Sequence, residues 1–153
     1  MRMSLACKLL GPEDIAVLEH LAINDPDFDL EGRGEPLEPL SPAAARRFLA
    51  DPAVLFWVAR DSEGVRGFLY CLVVPLRSSD EQELLLYEIG VQREWRRRGV
   101  GRMLLDHMEG WMRTNGVCEV WVFADNQAAV NFYRAREFSP ADSQPVYMTH
   151  RVR

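Results

Sequence analysis

Apolar positions along the chain fall into two rhythms. From Gly99 to Thr114, Leu104, Leu105, Met108, Trp111 and Met112 recur at i, i+1, i+4, i+7 and i+8, which is one face of a helix. Asn115-Gly116 supplies its stop. Val54 to Arg60 and Val65 to Val74 are instead dense in β-branched and aromatic residues, and Asp61-Ser62-Glu63-Gly64 joins them as a hairpin turn. Leu84 to Val91 reads as another strand. Val117 to Ala124, with little polarity, reads as a central one. A short apolar strand ends at Lys8 to Leu10, and Val146 to Val152 alternates weakly as a final strand.

Capping chemistry places the remaining helices. Pro12 takes a first helical position with Glu13 and Asp14 in the first turn, followed by an apolar stripe of Ile15, Leu18 and Ala22. Ser41 caps a helix running to Ala50, and Asn126 caps one running to Arg136. Between the first helix and the one capped by Ser41, Asn24 to Pro39, rich in acids, proline and glycine, reads as a long loop and a candidate lid. The order β-α-α-β-β-β-α-β-α-β predicts an α/β fold with a mixed sheet and helices on both faces. At 153 residues, positions 1–153 are expected to form a single domain.

Composition, 48% hydrophobic and 27% charged, fits a globular protein. No apolar run approaches the ~18 residues of a membrane span, and the N-terminus does not read as a signal peptide, so a cytoplasmic protein is expected. Cys7, Cys71 and Cys118 are scattered among apolar neighbours, which argues against a disulfide framework or a zinc site. A net charge of -5 does not favour nucleic acid. Acids cluster in residues 25–31 and 80–83, and bases from Arg93 to Arg102. An anionic cofactor and a cationic substrate would suit that division. Solvated loops would equally account for the acidic runs.

The strongest local signal is the strand Leu84 to Val91 followed by Arg96-Arg97-Arg98-Gly99-Val100-Gly101-Arg102, which opens a helix. Two glycines admit close approach of a ligand to the backbone, and the first amides of a helix lack intrahelical partners. A diphosphate suits such a loop. A solvated basic patch is the competing reading. The loop is neither a Walker loop nor a dinucleotide fingerprint.

Val91 to Leu105 resembles the cofactor motif of the GNAT N-acetyltransferase family: Gln or Arg, two residues, Gly, one residue, Gly or Ala, matched at Arg96, Gly99 and Gly101. Asn126-Gln127-Ala128-Ala129-Val130-Asn131-Phe132-Tyr133 resembles the family's later motif, one helix and one strand downstream. Within the family the chain is most similar to type I aminoglycoside 3-N-acetyltransferases. That likeness rests on Lys8 to Asp14, Val74-Pro75-Leu76, the acidic linker and Tyr87-Glu88-Ile89-Gly90-Val91. It departs where Glu137, in place of glycine, precedes Phe138. It also departs in the short, proline-bearing Ser139 to Pro145, which leaves the family's sixth strand truncated or irregular.

The resemblance implies a mixed, mostly antiparallel sheet of six to seven strands with about four helices. It implies acetyl-CoA as cofactor and a small cationic amine as substrate, an aminoglycoside acetylated on its 3-amino group in antibiotic resistance. Other amines (a polyamine, a small metabolite, a protein N-terminus) and a non-catalytic acyl-CoA binder are the alternatives. It admits a homodimer and implies neither a nucleic-acid nor a membrane partner. It assigns pantetheine to backbone groups of Ile89, Gly90 and Val91, and the pyrophosphate to residues Arg98 to Arg102 with Arg96 and Arg97 nearby. A pantetheine amide falls to Asn126. Tyr133 becomes the general acid, against packing with Phe132. Glu88, a carboxylate in an apolar strand where burial would raise its pKa, becomes the base; attraction of a cationic amine or an ion pair with arginine are its other readings. Asp25, Asp27, Asp29, Glu31 and Glu83 are expected to meet the substrate. Asp125 either joins them or caps the helix at Asn126. No metal-ligand spacing emerges.

Overall fold

The structure is a computed structural model that describes residues 4–28 and 34–152. These residues fall into two compact units, Met1–Val122 and Phe123–Arg153.

The first unit is built on a mixed sheet. Its strands are β1 (Ala6–Leu9), β2 (Val54–Arg60), β3 (Val65–Pro75), β4 (Gln82–Val91) and β5 (Val120–Trp121), in that spatial order. The first four are antiparallel, and β5 joins β4 in parallel. Helices α1 (Ile15–Ile23), α2 (Asp25–Phe28), α3 (Pro42–Ala50) and α4 (Val100–Asn115) complete it. Predicted caps hold. Ser41 Oγ accepts the Ala44 amide at 3.2 Å, and Gly116, at φ 67°, ends α4 in the left-handed conformation.

The two faces of the sheet have different fillings. Leu104, Leu105, Met108 and Met112 of α4 are buried, and Cys71 Sγ of β3 meets Met108 Sδ at 3.8 Å. Gly67 makes this approach possible, since a Cβ there would stand 2.7 Å from Val100 Cγ1 of α4. The opposite face carries an aromatic layer. Phe56 stacks on Phe68 at 5.5 Å, Phe48 and Tyr70 meet edge-on at 5.3 Å, and Phe28 reaches Phe68 at 6.0 Å. Leu10, Leu21 and Leu49 close that core.

Three expectations change. Among the described residues the sheet has five strands, not six to seven. The expected strand Val146 to Val152 takes no ladder partner, and Val146, Tyr147, Met148 and Val152 are exposed. Without a neighbouring strand, weak alternation has nothing to bury against. The segment Val117 to Ala124 contributes only Val120–Trp121, at the sheet edge and not at its centre. The loop expected from Asn24 begins as the helical turn α2, because Phe28 is drawn into the aromatic layer.

The second unit contains α5 (Gln127–Ala135). Asn126 Oδ1 caps it by accepting the Ala129 amide at 2.8 Å. Its end is a complete Schellman turn: Phe138 N–H donates to Tyr133 O at 3.0 Å and Glu137 N–H to Arg134 O at 3.1 Å. Glu137, at φ 70°, takes the left-handed position that glycine would ordinarily fill. The turn is therefore kept despite the substitution.

Candidate active site

Strand β4 changes face halfway along. Its register pairs Leu86 with Cys71 but Glu88 with Tyr70, which leaves Tyr87 as an extra residue, a β-bulge. In a regular strand Glu88 would share the side of Leu84 and Leu86, which are buried beneath α4. The bulge moves Glu88 and Gly90 to the aromatic side. Gly90 reports this directly: a Cβ on it would meet Phe68 Cε1 at 2.5 Å and Phe28 Cβ at 3.1 Å.

Two consecutive residues, Tyr87 and Glu88, are thereby exposed, with Tyr87 60% accessible. The burial expected for Glu88 is not found. Tyr70 lies across from it, ring-to-ring with Tyr87 at 5.3 Å. Its own burial, then the negative charge of Glu88, push the Tyr70 phenol above its usual pKa.

The bulge also rotates the backbone. Gln92 N–H donates across the ladder to Arg66 O at 2.8 Å. Val91 and Ile89, at alternate positions, therefore direct their amides and carbonyls away from β3. On that side β5 pairs β4 only at Leu84 and Leu85. The Val91 carbonyl accepts Arg96 Nε at 3.3 Å.

After β4 the chain makes a 3₁₀ turn, Arg93–Trp95, and then the arginine-glycine loop. Arg97 stands at φ 62° and Gly99 at φ 84°. No atom lies within 4 Å of where a side chain on Gly99 would begin. Met103 N–H donates to Gly99 O at 3.0 Å. The amides of Val100, Gly101 and Arg102 precede that bond and are presented at the positive end of a 16-residue helix. Open space, a left-handed glycine, helix-start amides and the exposed Arg97, Arg98 and Arg102 fit a diphosphate.

The other expected site residues are less concentrated. Half-buried Asp25 and exposed Asp27 belong to α2, which rests on β4 at Gly90, on the same face as Glu88. Asp29 and Glu31 lie outside the described residues. Glu83 sits five residues before Glu88, about 16 Å along the strand. In the second unit Asn126, and not Asp125, is the cap, because its Oδ1 accepts the Ala129 amide, while its Nδ2 donates to Asp125 Oδ1 at 3.3 Å. Tyr133 packs against Phe132 at 5.3 Å and Phe138 at 5.2 Å. Among the described residues no group of three or more His, Cys, Asp or Glu is placed to hold a metal ion.

Sequence reasoning passed over Arg66. A lone cation in the apolar strand β3 was its signal. Arg66 Nε donates to Asp61 Oδ2 at 3.0 Å and its Nη1 to Gln92 Oε1 at 2.9 Å. Its guanidinium lies 4.8 Å from the Trp95 ring centre, and that of Arg98 lies 5.2 Å from the same ring.

A model of the acetyltransferase (GNAT) family matches residues 18–138. The chain belongs to that family. It is similar to the [ribosomal protein bS18]-alanine N-acetyltransferase of Salmonella typhimurium strain LT2, 41% identical over 61 residues. The Escherichia coli K12 enzyme of the same name is 36% identical over 61 residues. Each match spans 39% of this chain and 41% of the relative, so the chain covers under half the length of these relatives. Among solved structures, an aminoglycoside acetyltransferase from an uncultured soil metagenomic sample, in complex with trehalose, superposes with a TM-score of 0.82 at 21% identity over 97% of both chains. A ribosomal-protein-alanine N-acetyltransferase from Brucella melitensis biovar Abortus 2308 gives a TM-score of 0.73 at 16% identity, covering 96% of this chain and 99% of that one. These likenesses share the fold.

Proposed function

We propose that this acetyltransferase uses acetyl-CoA to acetylate a primary amine on a small polycation, the 3-amino group of an aminoglycoside. The observation that carries this reading is the bulge at Tyr87, which turns a carboxylate out of an apolar strand and exposes it beside two tyrosine rings. A carboxylate with aromatic faces suits an ammonium group. Asp25 and Asp27, on the element covering the same face of β4, add the charge a polycation needs. Full-length likeness to aminoglycoside acetyltransferases points the same way.

The residues suit the cofactor. Gly99 and the amides of Val100, Gly101 and Arg102, with Arg96, Arg97 and Arg98 around them, hold a diphosphate. Backbone groups of Ile89 and Val91, directed away from β3, take an amide-bearing arm as an added strand would. Asn126 offers a side-chain amide. Acetyl-CoA, when bound, supplies an acetyl thioester. Glu88 accepts a proton from the attacking amine at its carboxylate, and Tyr133, assigned by the resemblance of residues 126–133, holds a proton at Oη for the departing thiolate.

A second reading is acetylation of a protein N-terminus. It draws on the 41% identity over 61 residues to a bS18-alanine enzyme. Thiol release from acetyl-CoA, measured across aminoglycosides, polyamines and alanine-terminated peptides, separates the two. Turnover with an aminoglycoside is expected. Turnover with a peptide and none with any aminoglycoside would replace the first reading by the second.

A further inference from the structure

We infer that Arg66 is a positioning residue for the cofactor loop, acting from behind it through Gln92 and Trp95. The inference rests on the reading of Arg96 to Arg102 as the diphosphate site.

Arg66 belongs to β3, outside the loop, yet its guanidinium reaches both ends of the approach to it. Nε is held by Asp61 Oδ2 at 3.0 Å, and Nη1 holds Gln92 Oε1 at 2.9 Å. Gln92 is the residue where β4 leaves the sheet, and its amide is tied to the Arg66 carbonyl at 2.8 Å. Side chain and backbone of one residue therefore fix the same departure point. The flat of the guanidinium covers Trp95, which is buried at the end of the 3₁₀ turn, and Arg98 covers the same ring from within the loop.

Asp61 is itself immobilised. Its Oδ1 accepts the Glu63 amide at 2.9 Å and the Gly64 amide at 3.0 Å in the β2–β3 turn. Its side chain is 3% exposed, and that of Arg66 14%. A charge pair this enclosed has a fixed geometry, and a planar fork serves Asp61, Gln92 and the ring at once, with the exposed Glu63 carboxylate 3.5 Å from Nη2. Lysine, a point donor, cannot. Of the two left-handed residues that follow, Gly99 takes its conformation freely, whereas Arg97 holds one that is costly for a residue with a side chain. Anchoring Gln92 and Trp95 lowers the cost of holding them ready for an anion.

The test compares wild type, Arg66→Lys and Asp61→Asn. CoA affinity is measured by calorimetry, steady-state constants for both substrates by thiol release, and stability by thermal unfolding. Arg66→Lys is expected to raise the CoA dissociation constant and the KM for acetyl-CoA about tenfold, with amine KM and kcat within about twofold. Asp61→Asn is expected to move the same constants in the same direction. Unchanged CoA affinity with only a lowered melting temperature would overturn the inference, as would equal rises in both KM values. Should wild type itself fail to bind CoA, the loop assignment falls, a result distinguishable from the failure of Arg66 alone.

Discussion

Tyr70 and Glu88 stand opposite each other across β3 and β4 because Tyr87 is left out of the ladder between them. That pairing exposes the carboxylate on the aromatic side of the sheet. Glu88→Gln keeps the shape and removes the proposed proton acceptor. Turnover at neutral pH is expected to fall about tenfold or more, with KM for acetyl-CoA little changed. Unchanged turnover would remove Glu88 as base.

Gly99 combines φ 84° with empty surroundings. Gly99→Ala costs about 1 kcal/mol in backbone strain and places a methyl group where a diphosphate would come. Thermal stability is expected to fall slightly and CoA affinity at least about tenfold. Full CoA affinity in the alanine variant would place the diphosphate elsewhere.

Glu137 occupies the left-handed position of the turn that ends α5, while Phe138 packs on Tyr133. Glu137→Gly relieves the strained φ and is expected to stabilise by about 1 kcal/mol. Urea unfolding followed by circular dichroism reads this. A loss of stability would mean that Glu137 makes contacts worth more than the strain.

Two carboxyls link stability to pH. Arg66, followed by the Glu63 and Gly64 amides, holds Asp61 below the usual carboxylate pKa. Burial works against Asp14 but is outweighed by the Gly11 amide and by Lys8 at 2.8 Å, so its pKa is also lowered. A depressed folded-state pKa gives stability that is full above the unfolded value, about 3.9, and is lost as pH falls through the folded one. Unfolding free energy is expected to drop from pH 5 downward in wild type. The drop should be smaller in Asp14→Asn and Asp61→Asn. Identical acid profiles in all three would refute the linkage.

The three thiols differ in burial. Burial pushes Cys7 up to about 11 and Cys71 up to about 12, while Cys118 is exposed. Brief alkylation of the native protein at pH 8, read by peptide mass spectrometry, should label Cys118 first and leave Cys71 untouched. Early labelling of Cys71 would mean that β3 and α4 separate in solution.

Much of the fold was legible because its signals are local. Helical spacing marked α4, and Ser41, Asn126 and Gly116 punctuated helices by their own hydrogen bonds or dihedrals. The arginine-glycine loop was legible as a helix start for the same reason, with Gly99 in the left-handed conformation before α4. What escaped depends on partners. The Tyr87 bulge is hidden in Leu84-Leu85-Leu86-Tyr87-Glu88-Ile89, a run without alternation that could reveal a change of face. Val146 to Val152 has a strand's pattern and no strand to pair with. Arg66 and Trp95 lie 29 positions apart in sequence and meet only through the β3–β4 register.

The bulge has a consequence for how this strand tolerates change. Its effect comes from the presence of a residue between Leu86 and Glu88, not from the identity of that residue. Tyr87, exposed and outside the ladder, is open to replacement by many side chains while the carboxylate keeps its place. Loss of the position itself would turn Glu88 toward Cys71 and Met108. The place of the proposed proton acceptor is therefore secured by a count of residues, and not by the side chain at position 87.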